Sequence, residues 1–361
     1  MSIIAIRADA SASIGTGHVC RCMTLAKELT KLGFQVYFMM RDLPGNMIDL
    51  VKQYGYQTLT LDGQGFHNWE TDAVESIQLL KGLKAKPHWL IVDHYQLDTK
   101  WESELSAHVG KIMVIDDLAN REHTCHIILD QNLYHNQDIR YHHLLKENTL
   151  QLMGPRYVLL RDEFLTQKTR SGQPSGHIKN VMIYYGGSDP SGETIKVITA
   201  LSTTEYRHIN FTVVVGNSCQ QKYIIERLCE LHENFHFYCQ VQNISQHMST
   251  TDLAIGACGS STWERCYLGI PTLSTEIATN QSELSQILDE KGIIINLGWY
   301  SLVTPELIKT EFKRLTESPQ LLVRMSQKAY DLIHQSGYLG ASYVASLLNP
   351  GSELHEQANT H

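Results

Sequence analysis

The sequence has no apolar run near the roughly 18 residues needed to cross a bilayer, so no membrane span is expected. It also lacks an excess of positive charge. Thirty Lys and Arg stand against 38 Asp and Glu, a formal net charge of −8. A nucleic-acid binder is usually basic, so no nucleic-acid partner is expected. None of the eight cysteines stands in a C-x-x-C pair. H-E-x-x-H is absent, and so is any Cys/His cluster with ligand spacing; the nearest approach is "EHTCH", from Glu122 to His126. No metal and no cofactor are therefore expected. The opening "MSIIAIRADA" has no basic leader and reads as a first strand, which points to reduced thiols and a cytoplasmic protein. Three further signatures are missing. There is no G-x-x-x-x-G-K-[ST], and no G-x-S-x-G elbow. The dinucleotide fingerprint fails after "GTGHVC", where Cys20 stands in place of the third glycine.

What is present is a long alternation of strand and helix signals. "IIAIRAD", "FQVYFMM", "HWLIVD", "KIMVID" and "HIILD" are apolar runs, most of them closed by Asp, with helix-like stretches between most of them. Val19, Cys22, Met23, Ala26 and Leu29 recur at helical spacing, and Gly33 sits where a glycine would stop that helix. This pattern predicts a parallel sheet with helices on both faces. Polar "TQKTRSGQPSG", Thr166 to Gly176, reads as a linker. A second series follows in "VMIYYGGSDP", "NFTVVVG", "DLAIGACGSSTWERC", "IPTLST" and "GIIINLG". The expected organisation is an α/β chain of two doubly wound domains facing a cleft. They span 1–165 and 178–348, and 349–361 form a disordered tail. A length of 361 residues suits two cores better than one.

Several loops could carry chemistry. In "SIGTGHVCRC" two glycines precede His18. A histidine in the first turn of a helix can be a plain surface residue. Here Gly15 and Gly17 let a ligand approach the backbone, and His18 is the first side chain to reach it. The partial positive charge of a helix start favours neutral imidazole, the form that accepts a proton. Asp9, at the end of the first strand, is a candidate to orient the ring. "VDHYQLD" puts Asp93, His94 and Tyr95 at a strand's carboxyl end, as chemistry or as ordinary loop residues. Arg156 and Arg161 lie near the linker, as anion partners or as salt-bridge residues.

In the second half, Gly186, Gly187 and Ser188 either bring backbone N–H groups to a phosphate at a helix start or form a turn that Asp189 caps and Pro190 opens. Ser260, Ser261 and Glu264 follow a strand. Ser261 and Glu264 fit an S-x-x-E capping box, or Glu264 accepts hydrogen bonds from the vicinal hydroxyls of a ribose. Asn280 and Gln281 open a further helix, with Asn280 as ligand contact or N-cap.

The motifs together resemble a family. "RADASASIGTGHVCRCMTLA", "VDHYQLD", "VIDDLANREHTCHIILDQN", "GPRYVLLRDEF", "GGSDPSGET", "GSSTWERCYLGIPTL" and "ATNQ", in that order from Arg7 to Gln281, resemble the UDP-sugar hydrolases of pseudaminic acid biosynthesis. The architecture this implies is GT-B, two Rossmann-like domains, related to the glycosyltransferase that makes lipid II. The resemblance implies removal of UDP from UDP-2,4-diacetamido-2,4,6-trideoxy-β-L-altropyranose. Water is the acceptor, and a single displacement inverts the anomeric carbon. It puts the catalytic base on His18, sugar or diphosphate contacts on Tyr95, Arg161 and Asn280, and nucleotide contacts on Ser260, Ser261 and Glu264. It leaves other enzymes of that pathway as candidate protein partners. Two rival readings are a GT-B glycosyltransferase with a true acceptor and a nucleotide-sugar binding module without catalysis.

Overall fold

The computed structural model describes residues 2–63, 68–167 and 176–349. The expected tail from residue 350 onward, and residues 168–175 of the expected linker, lie outside the described residues. The chain divides into two compact units, one of residues up to Leu160 together with Tyr338 onward, the other from Arg161 to Gly337.

The first unit holds a seven-stranded parallel sheet in the order β3-β2-β1-β4-β5-β6-β7. The strands are β1 Ile3–Ala8, β2 Gln35–Arg41, β3 Gln57–Leu61, β4 Trp89–Asp93, β5 Lys111–Ile115, β6 Ile127–Asp130 and β7 Leu150–Met153. The second unit holds six parallel strands in the order β10-β9-β8-β11-β12-β13. These are β8 Asn180–Tyr184, β9 Asn210–Val215, β10 Phe235–Cys239, β11 Leu253–Ala257, β12 Thr272–Glu276 and β13 Ile294–Trp299. Both sheets wind outward in the 3-2-1-4-5-6 sense. Each therefore has one point where the order reverses, between β1 and β4 and between β8 and β11. Loops at the carboxyl ends of the strands diverge there and leave a crevice for ligands.

The expected α/β class is the observed one. Three strands escaped the sequence reading: β3, β7 and β10. All three lie at a sheet edge. An edge strand has one neighbour and keeps polar positions, as in "QTLTL" and "FHFYC", so its apolar signal is thin.

Helix Gly17–Lys31 follows β1 and buries Val19, Cys22, Leu25, Ala26 and Leu29. Gly33, at φ +87°, lets the chain leave that helix, as its position predicts.

The domain boundaries require correction. Arg161, expected in the first domain, belongs to the second unit, where it pairs with Glu264. Gln167 Nε2 likewise donates to Ser245 Oγ at 2.8 Å. At the other end, residues 338–348 return to the first unit. Helix Gly340–Leu347 supplies Ala341, Val344, Ala345 and Leu347 to the core beneath helix Gly17–Lys31. Trp89 Nε1 donates to the carbonyl of Leu348 at 2.9 Å. Apolar area that the first sheet alone leaves bare selects this helix, and no local pattern in the sequence announces a partner over 250 residues away.

Candidate active site

In the first unit the loop after β1 is tied down by its own short side chains. Ser11 Oγ accepts from the amides of Ser13 (3.3 Å) and Ile14 (3.0 Å). Gly15, at φ +82°, closes the turn by donating to the Ser11 carbonyl at 2.9 Å. A side chain at that φ would be strained. Gly17 then starts the helix, and His18 occupies its first turn.

Asp93 decides what His18 can do. Parallel pairing sets Ala8 of β1 beside Asp93 of β4, so the helix after β1 starts over the carboxyl end of β4. His18 Nδ1 lies 2.6 Å from Asp93 Oδ1. Arg21 grips the same carboxylate with Nε on Oδ2 and Nη2 on Oδ1, both at 2.6 Å. Its Nη1 reaches Asp117 Oδ2, just beyond β5, at 3.1 Å. Burial would raise the Asp93 pKa, but the Arg21 charge and then His18 outweigh it and hold the carboxyl below the usual carboxylate range. An ionised carboxylate only accepts, so Nδ1 carries a proton, and in the neutral ring Nε2 is the nitrogen with the lone pair. The ring of Tyr95 meets the imidazole edge-on, centroids 4.5 Å apart. Its phenol hydrogen-bonds Asp117.

Asp9 is not the residue that orients His18. Its carboxylate accepts from Arg7 Nη1 (2.6 Å), Arg7 Nη2 (2.8 Å) and the Arg41 amide (2.8 Å). His94 Nε2 lies 3.4 Å away. Asp9 is buried, so it neither faces the imidazole nor presents a surface to a ligand. Burial pushes its pKa up, and the Arg7 charge with the His94 hydrogen bond overrides that and brings it below the ordinary range. The physical reason is the order of the strands. Asp9 leaves β1 toward β2, whereas His18 lies over β4.

In the second unit the loops after β8 and β11 stand at the second point of reversal. The loop after β8 differs from its expected form. The helix starts at Glu193, not at Pro190, and Gly192 is its N-cap. Asp189 still caps it from a distance, accepting from the amides of Glu193 (3.0 Å) and Thr194 (2.9 Å). Those first amides are occupied, and a carboxylate already answers the helix dipole. Gly187 accepts at its carbonyl from the Gly216 amide (3.0 Å) and from Ser218 Oγ (3.1 Å). Ser188 beside it is half-buried.

After β11, Ser260 is exposed and precedes helix Ser261–Tyr267. The expected capping box is not formed. Ser261 Oγ accepts from Arg265 Nη1 at 2.9 Å, and no side chain caps the helix start. Glu264 turns instead to Arg161, whose Nε and Nη2 both lie 2.8 Å from Oε1. Arg161 Nη1 also meets Glu163 at 2.7 Å. Burial raises the Glu264 pKa, and the Arg161 charge only partly offsets this.

Arg265 pins the loop from beneath. It donates to Thr272 Oγ1 (3.1 Å), the Ala257 carbonyl (2.8 Å) and Thr262 Oγ1 (3.0 Å). A Cβ on Gly256 would come within 2.2 Å of the Tyr184 carbonyl, so that glycine serves the sheet rather than a ligand. Asn280 lies in the short 3₁₀ turn Thr279–Gln281 and is not the N-cap of helix Ser282–Glu290; Gln281 is. Gln281 Oε1 accepts from the Ile277 amide at 3.2 Å, and its Nε2 faces Gly259.

The fold thus joins His18 to Tyr95 and Arg161 to Glu264, sets Gln281 against the Gly259 loop, and separates Asp9 from His18. Sequence reasoning did not single out Arg21, Asp117, Glu163 or Arg265. Arg21 carried a usable signal, since it stands three residues after His18 on the same helical face. Among the described residues no group of three or more His, Cys, Asp or Glu side chains is placed to hold a metal ion, and no helix is long and apolar enough to cross a membrane.

No protein-family model matches the chain. It is 25% identical over 290 residues to the UDP-2,4-diacetamido-2,4,6-trideoxy-beta-L-altropyranose hydrolase of Campylobacter jejuni, covering 80% of this chain and 97% of that protein. The chain is a homologue of this hydrolase. It is 26% identical over 278 residues to the uncharacterized protein MJ1062 of Methanocaldococcus jannaschii, covering 75% of this chain and about half, 54%, of that protein's length. Spore coat polysaccharide biosynthesis protein SpsG of Bacillus subtilis is 24% identical, over 61% of this chain and 63% of its own. Among solved structures, MurG of Acinetobacter baumannii superposes with a TM-score of 0.66 at 14% identity, over 96% of this chain and 99% of MurG. Spinosyn rhamnosyltransferase SpnG gives 0.64 at 16%, over 97% and 100%. The fold is that of the GT-B glycosyltransferases.

Proposed function

We propose that the chain hydrolyses a UDP-sugar at its anomeric carbon, with UDP-2,4-diacetamido-2,4,6-trideoxy-β-L-altropyranose as substrate. The observation that carries this reading is the His18–Asp93 pair at the β1/β4 reversal, where Asp93 holds Nδ1 of a ring that follows a glycine loop. The similarity to the Campylobacter hydrolase supports this choice of substrate.

A water proton passes to Nε2 as the water oxygen bonds to the anomeric carbon. The bond from that carbon to the phosphate oxygen breaks, and UDP leaves with the electron pair. One displacement inverts the anomeric centre. Ser260, Ser261 and Glu264 are assigned to the nucleotide, Tyr95, Asn280 and Gln281 to the sugar or diphosphate, and backbone donors near Gly17, Gly187 and Ser188 to the departing charge. Arg161 acts through Glu264. Its Nε and Nη2 hold Oε1, and Oε2 is assigned to a ribose hydroxyl.

The test is to incubate the protein alone with this UDP-sugar and follow UDP release, reading the anomer of the nascent sugar by proton NMR. Release without any acceptor supports hydrolysis. Release only after an acceptor is added supports the second reading, a glycosyltransferase, which the GT-B neighbours favour.

Two predictions arise here. Dialysis against a chelator leaves the rate of UDP release nearly unchanged, because donors on the chain are assigned the role of a Lewis acid; a large loss restored by one divalent ion sinks this. Glu264→Gln weakens UDP binding by roughly 10- to 150-fold, the worth of a charge-assisted hydrogen bond, as calorimetry would show. An unchanged affinity with a lowered melting temperature makes Glu264 a structural partner of Arg161 and nothing more.

A further inference from the structure

Three side chains of one helix converge on one carboxylate. His18, Arg21 and Cys22 stand at i, i+3 and i+4, on one face. They reach Asp93 at 2.6 Å for His18 Nδ1, 2.6 Å for Arg21 Nε and Nη2, and 3.5 Å for Cys22 Sγ. Arg21 does more than neutralise Asp93. Its Nη2 also lies 3.3 Å from His18 Nδ1. Its fork takes separate oxygens of the carboxylate, which fixes the plane in which Asp93 meets the ring.

This geometry bears on a problem that a His–carboxylate pair creates for itself. A carboxylate alone beside an imidazole stabilises imidazolium, and imidazolium cannot accept a proton. A cation on the same carboxylate, close to the ring, opposes that. We propose that Arg21 is a positioning residue, acting through Asp93, that holds the His18–Asp93 pair as neutral imidazole and carboxylate, with the proton on Nδ1 and Nε2 left basic. The proposal rests on the reading of His18 as the base.

Among the described residues, these charged and titratable groups face His18. Its own helix supplies Arg21 and Cys22. The end of β4 and the loop after it supply Asp93 and Tyr95. Asp117, after β5, joins through Arg21 and through the Tyr95 phenol. Arg21 is the one cation in this set, and two carboxylates answer it. Removing its charge leaves His18 facing anions.

The expected results differ in kind between variants. In Arg21→Gln the charge is gone, so His18 takes up its proton at higher pH than in the wild type, and the acid limb of the rate of UDP release moves up with it. In Arg21→Lys the charge stays and the fork is lost. The limb keeps its place, and the rate falls across the whole profile, by up to about a hundredfold for a misplaced catalytic group. Asp117→Asn removes an anion and moves the titration of His18 to lower pH.

The titration is read by nitrogen NMR of the His18 ring, without substrate, alongside the pH–rate profile. A folded Arg21→Gln whose His18 titrates as in the wild type overturns the proposal. If Arg21→Gln does not fold, an Asp117→Asn protein whose His18 titrates at or above the wild-type position overturns it. If the wild type releases no UDP, the functional reading fails, and the NMR titration still decides the part played by Arg21.

Discussion

His18→Asn lowers the rate of UDP release by about 10²–10⁴-fold, the usual worth of one general base, and leaves UDP affinity at the wild-type level. Asn suits this test because its amide can still donate to Asp93 Oδ1, the oxygen that now receives Nδ1 at 2.6 Å. The carboxylate therefore keeps a partner, and Arg21 keeps its grip on Asp93. What disappears is the basic Nε2. Affinity for UDP should hold because the nucleotide contacts are assigned to Ser260, Ser261 and Glu264 in the second unit. Single-turnover kinetics with calorimetric UDP binding separates the two effects. A folded His18→Asn protein with near-normal turnover would falsify the assignment. The search would then move to Tyr95 and Asp117, since His94 faces Asp9.

Asp72→Ala destabilises the first unit by about 3–5 kcal/mol, the cost of breaking a buried ion pair by removing one partner. Asp72 is fully buried and accepts from Arg7 Nη2 and Arg41 Nη2, both at 2.7 Å, and from Trp101 Nε1 at 3.0 Å. Its loss leaves two buried guanidinium groups short of an anion. Urea unfolding followed by tryptophan fluorescence measures the change, and a loss below about 1 kcal/mol would mean that water enters and replaces the carboxylate. The same network gives acid sensitivity a sign. Burial acts to raise Asp9 and Asp72, but their arginine partners win and both pKa values fall below the ordinary value. Their contribution is present above the unfolded-state value and is lost as the pH falls through the folded one.

Much of the candidate site was legible locally. His18 stands out because a loop of small residues delivers it to a helix start, and Asp93 and Tyr95 stand out because an apolar run ends beside them. The partners of these residues were not legible. Asp9 is nearer to His18 in sequence than Asp93 is, yet Asp93 holds the ring, because β4 rather than β2 lies under the helix start. Ser261 and Glu264 satisfy the spacing of a capping box, yet each is drawn to an arginine that forms a stronger, charged contact.

The sequence by itself determined the α/β class, most of the strands and the loops of the candidate site, because period and turn residues act over a few positions along the chain. Only the tertiary structure decided which carboxylate orients His18, that Arg161 belongs with Glu264, and that helix Gly340–Leu347 completes the first core. Those choices depend on strand order and on which buried charges find partners. Both arise from contacts between segments far apart in the chain, where local pattern carries no information.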